Sequence, residues 1–61
     1  MAQIEMTPQE AEMLREILVR YLPELRREIV DTDKKEFRRY LQGMEVFMND
    51  LIKRLQQKIA A

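Results

Sequence analysis

Val30-Asp31-Thr32-Asp33-Lys34-Lys35-Glu36-Phe37 is the stretch on which the reading of this 61-residue chain depends. Before Val30 and after Phe37, apolar residues recur every three or four positions, the period of an α-helix with one buried face. Between them, six polar residues in a row interrupt the pattern. Asp33 reads as the N-cap of a new helix, with Glu36 three residues on as its capping-box partner. A connection over 31–33 is so short that the helices on either side must be antiparallel neighbours. The expected fold is therefore all-α: a two-helix antiparallel hairpin with helices over 8–30 and 34–59.

Upstream of the turn, Thr7-Pro8-Gln9-Glu10 combines a threonine N-cap, a proline at the first helical position and a glutamate at N3. Those three together predict a helix start at Pro8, with Met6 placed to staple onto Ala11. Residues 1–6 are then a flexible lead-in, and 7–60 a single domain. Ala11, Leu14, Leu18, Tyr21, Leu25 and Ile29 follow at helical spacing, and Met13, Ile17, Leu22 and Val30 widen their stripe. Pro23 falls inside it, where it removes a hydrogen bond to the carbonyl of Val19. Since the apolar period continues through Leu25 and Ile29, a kink near Pro23 is expected rather than a break.

Downstream, Phe37, Leu41, Met44, Met48, Leu51 and Leu55 alternate spacings of four and three, the heptad of a helix–helix seam. Tyr40 and Phe47 flank that seam on one side, Ile52 and Ile59 on the other. Folding the hairpin about Thr32 sets Tyr21 opposite Gly43, the only glycine, which suggests that the glycine makes room for the tyrosine ring. Glu5, Glu10, Glu12 and Glu16 come level with Lys53, Arg54 and Lys58, so that cross-hairpin ion pairs are expected at the open end.

Composition limits what such a chain can do. Without cysteine, histidine, serine or tryptophan, acyl-transfer triads, thiol chemistry, imidazole catalysis and the usual zinc sites are excluded. Asp31-Thr32-Asp33 has the alternate aspartates that open a calcium loop, but Lys35 and Glu36 stand where that loop needs an oxygen ligand and a glycine. No enzymatic activity, cofactor, metal or small-molecule substrate is expected. Lysine and arginine number 11, as do aspartate and glutamate, so no net charge draws the chain to nucleic acid. No signal peptide or membrane segment is recognisable, and the expected location is the cytoplasm.

Arg26, Arg27, Lys34, Lys35, Arg38 and Arg39 nevertheless gather at the turn. Interleaved acidic residues can neutralise most of them, which favours a solvated surface. The alternative is contact with a nucleic acid or another anion through Lys34, Lys35, Arg38 and Arg39.

Tyr21-Leu22 through Leu25-Arg26, then Glu28-Ile29, Thr32, Phe37-Arg38 and Leu41, resembles short uncharacterised bacterial helical-hairpin proteins. These share a tyrosine, an arginine after leucine, an isoleucine before the turn and a phenylalanine-arginine after it. The likeness spans most of the chain and implies the hairpin fold, without any activity or site.

Two helices touching along one seam bury little, and 61 residues lie near the size at which one core stops sufficing. With no disulfide or metal to help, oligomerisation is the remaining remedy. The expected assembly is a homodimeric four-helix bundle, or a bundle completed by another helical protein. Its interface and core would be Leu14, Leu18, Tyr21, Leu25, Phe37, Leu41, Met44, Phe47, Met48, Leu51, Ile52 and Leu55, with Met44 to Ile52 as the face toward the partner. Function follows as a protein–protein interaction and oligomerisation module, a role suited to a small regulatory adaptor.

Overall fold

A computed structural model describes residues 3–60. It contains two helices, α1 (Pro8–Asp31) and α2 (Lys35–Ala60), and no strand among the described residues. They pack side by side as a hairpin. Residues 3–6 precede α1 without regular structure; the first two residues of the expected lead-in lie outside the described ones.

α1 begins as its first four residues dictate. The backbone N–H of Glu10 donates to Thr7 Oγ1 at 3.1 Å, and the N–H of Thr7 donates to Glu10 Oε1 at 2.9 Å. Both halves of the capping box are thus closed, each satisfying a donor that the first turn would otherwise leave free. Pro23 stands inside α1 without dividing it. Val19 and Pro23 are both exposed, so the hydrogen bond that Pro23 cannot donate is lost on the outer side of α1 rather than against the seam.

The turn departs from expectation. α1 continues to Asp31, and Thr32 closes it, its N–H donating to the Glu28 carbonyl at 3.0 Å. α2 starts one residue later than expected. The Arg38 N–H donates to the Lys34 carbonyl at 2.9 Å, which puts Lys34, not Asp33, at the N-cap, and the expected Asp33–Glu36 capping box is absent. Lysine has no acceptor to offer there. What orders the turn instead is Arg38, whose Nη2 donates to the Thr32 carbonyl at 2.6 Å, tying the first turn of α2 to the end of α1. A charged donor makes this a stronger bond than a neutral one.

The later start centres the loop on Asp33 rather than Thr32 and shifts the register of facing residues by about two. The expected Tyr21–Gly43 contact is accordingly not made. A Cβ placed on Gly43 meets nothing within 4 Å, and Tyr21 remains 40% exposed. The glycine relieves no crowding, and its cost is purely that of a flexible residue in a helix interior. Gly43→Ala is expected to raise stability by about 1 kcal/mol, read as a shift of roughly 4–8 °C in a thermal melt.

Packing between the helices follows one heptad position of each. Leu41, Met48 and Leu55, seven apart, are buried on α2; Ala11 and Leu25 are buried on α1, with half-buried Leu18 midway between them. Leu25, Leu41 and Met48 form the core, joined by Leu18, Leu22, Ile29 and Met44. The other heptad position is far less covered: Leu14, Met44 and Leu51 are half-buried, while Tyr21 and Phe37 are exposed. A hairpin satisfies one row of its seam and leaves the second at an edge.

Candidate interaction face

Which edge remains open follows from helix geometry. At 3.6 residues per turn, Met13, Ile17 and Tyr21 fall on one flank of the buried line through Leu18 and Leu25. Tyr40, Met44, Phe47 and Leu51 fall on one flank of the line through Leu41, Met48 and Leu55. Because the helices are antiparallel, the two flanks point to the same side of the hairpin. On the opposite side the seam is closed by Arg26, whose Nε lies 2.8 Å from Glu45 Oε2. That pair crosses between helices at a partly exposed site, where such contacts contribute about 0.2–1 kcal/mol.

The open side is strongly apolar. Met13, Ile17, Tyr21, Phe37, Tyr40 and Phe47 are each between 40% and 65% exposed. Phe37 and Tyr40 stack on one another with ring centroids 6.3 Å apart and planes at 24°, extending the face to the turn end. Scattered exposed apolar residues are ordinary on any surface, whereas a contiguous patch rimmed by charge marks an interaction site.

Dimensions lead to the same point. The molecule measures 41 × 26 × 13 Å, so it is a slab one helix thick. Domains usually bury their apolar faces between two layers; the described residues form a single one. Its radius of gyration, 13.5 Å, exceeds the roughly 10.5 Å of a compact domain of this length.

The expected partner-facing residues are divided by this geometry. Met48, Leu41, Leu55 and Leu25 are consumed by the hairpin's own seam and are not available to a partner. Ile52 lies on the Arg26–Glu45 side, away from Phe47. Leu18 is half-buried on the seam itself; Leu14, Met44 and Leu51 sit half-buried between seam and face, and Tyr21, Phe37 and Phe47 are on the face itself. Met13, Ile17 and Tyr40 belong there too, although the heptad reading did not select them. Their signal was present as spacing, since Met13, Ile17 and Tyr21 follow each other by four and drift together off the seam.

Charges at the open end do not pair across the hairpin as expected. Arg20 Nη2 holds Glu16 Oε1 and Arg54 Nη2 holds Asp50 Oδ2, each at 2.9 Å within its own helix. At the turn, Arg26 is taken by Glu45, Arg27 approaches Glu24 at 3.8 Å, and Arg38 serves the Thr32 carbonyl. Among the described residues Lys34, Lys35 and Arg39 make no ion pair, so the neutralisation expected at this pole is incomplete. Lys34 and Lys35 line an open depression together with Glu36, Phe37 and Tyr40. Among the described residues no three acidic side chains converge as a metal site would require, and no helix is long and apolar enough to cross a membrane. In comparisons with known proteins, no family model, no curated protein and no solved structure matches the chain.

Proposed function

We propose that the chain is a non-enzymatic oligomerisation and protein–protein interaction module, which completes its fold by laying its open apolar face on another helical surface. The observation that carries this reading is the set of six large, exposed apolar side chains on one side of a slab a single helix thick. Burying that side supplies a second layer and makes a four-helix bundle, in which both heptad rows of each helix point inward. Recognition rests on the fit of apolar side chains, and the charged rim selects the partner.

Sedimentation equilibrium over a dilution series, paired with thermal melts at each concentration, tests the proposal. Association requires a melting temperature that rises with protein concentration. A chain that stays monomeric up to millimolar concentration with an invariant melt would overturn it.

A second reading draws on the depression at the turn, where Lys34 and Lys35 flank the stacked Phe37–Tyr40 pair. Cations beside aromatic faces suit a single-stranded nucleic acid. Affinity for an oligonucleotide that falls steeply with salt would favour it.

A further inference from the structure

The open face is built from both helices, so a second copy can cover it in two ways. The two-fold axis between two flat hairpins runs either along the helices or across them. With the axis along the helices, α1 of one copy lies beside α2 of the other and the two turns share one end. With the axis across them, α1 lies on α1, α2 lies on α2, and the turns point in opposite directions. Adjacent helices are antiparallel in both arrangements, so the helix dipoles do not choose between them.

Side-chain charge does choose. α1 carries six acidic and four basic residues, whereas α2 carries six basic and three acidic ones. An axis across the helices puts the acidic helix on itself and the basic helix on itself; an axis along them puts opposite against opposite at both edges of the interface. Juxtaposed like charges penalise a wrong pairing more reliably than opposite charges reward a right one. Beside the apolar face, Glu10 and Glu28 on α1 and Lys58 on α2 show the same bias, with Glu36 at the turn end of α2 as the exception.

A second copy is also a sufficient occupant. Taking about 200 Å² for a fully exposed large side chain, the exposed parts of the six residues come to roughly 650 Å² per copy. A two-fold pairing would therefore remove about 1,300 Å², within the range of specific, stable interfaces. Since acidic and basic residues are equal in number, two copies meet without net repulsion.

We infer that the partner of the open face is a second copy of this chain, related by a two-fold axis along the helices, with α1 of each copy against α2 of the other. This rests on the association proposed above and adds its occupant and orientation.

The chain has no cysteine, so Asp33→Cys at the exposed turn accepts a single spin label, and electron–electron dipolar spectroscopy on the labelled full chain reads the distance between copies. With both turns at one end, the loops are separated by one layer spacing of about 10 Å, and the labels should lie within roughly 25 Å, allowing for their linkers. Turns at opposite ends would put them about as far apart as the molecule is long, 41 Å, and would overturn the orientation while leaving association intact. Absence of dipolar coupling together with monomeric sedimentation would remove the association itself.

Discussion

Leu25→Ala is expected to destabilise the hairpin by about 3 kcal/mol, a loss of roughly 12–24 °C in melting temperature. Among the described residues Leu25 is the one large side chain that is fully buried, and it anchors the cluster with Leu41 and Met48. Truncation removes the transfer free energy of its methyl groups and leaves a cavity between two helices that have few other shared contacts over which to relax. In a domain of this size the loss is a large share of total stability, so a fraction of the protein should be unfolded at 37 °C. Val46→Ala makes the comparison: Val46 is 69% exposed on the outer side of α2, and its truncation should change stability by no more than about 0.5 kcal/mol. Chemical denaturation monitored by circular dichroism measures both. Equal effects would mean that Leu25 is not the centre of the core.

Phe47→Glu is expected to weaken self-association by at least about 100-fold, with little effect on the helices of the isolated chain. In a single copy the Phe47 ring is more than half exposed, so the hairpin loses little when it is replaced. In the proposed bundle the same position is covered, and each copy brings one carboxylate into an apolar contact where it has no partner. Leaving a charge unpaired in such a place costs about 3 kcal/mol or more, equivalent to a factor of 100 or greater in affinity. Its neighbour makes a stringent control, because Val46→Glu introduces the same charge one residue away on the outward side. Sedimentation velocity should find the Val46 variant associated and the Phe47 variant monomeric at the same concentration. If both associate as the unaltered chain does, the face is not the interface.

The depth of the two effects reflects how the same heptad is used twice. Leu41, Met48 and Leu55 serve the intramolecular seam, and Phe37, Met44 and Leu51 turn toward the open side. Both rows look identical in the primary structure, since leucine and methionine at either position are compatible with either role. Only the crossing of α1 over one row distinguishes them. The same holds for Tyr21, which occupies a seam position by spacing but stays 40% exposed, and for Met13, Ile17 and Tyr40, which lie off the seam and on the face.

Local chemistry was readable in proportion to how local it is. The capping box of Thr7 and Glu10 involves residues three apart, and the start of α1 follows from those few residues. At the turn the same rule misled, because Asp33 and Glu36 suggested a second capping box while a longer-range bond won: Arg38 reaches the Thr32 carbonyl, and α2 begins beyond Lys34. Glycine in a helix suggested a packing role, but the register of the hairpin leaves open space over Gly43. Ion pairs expected across the open end formed within each helix instead, where Glu16 and Arg20, like Asp50 and Arg54, are held four residues apart by a single backbone. A pair on one helix needs no agreement between two elements and loses less entropy in forming.

By itself the sequence determined that this chain is helical, that it reverses once near residue 32, and that its apolar residues are too many for two helices to cover. Those properties follow from period, capping chemistry and turn composition, each acting over a few residues. Tertiary structure alone decided which apolar row is buried and which is left open, that Arg26 meets Glu45, and that the open residues of both helices share one side. These depend on the register and rotation of one helix against the other, which the loop and the Arg38–Thr32 bond set across the hairpin.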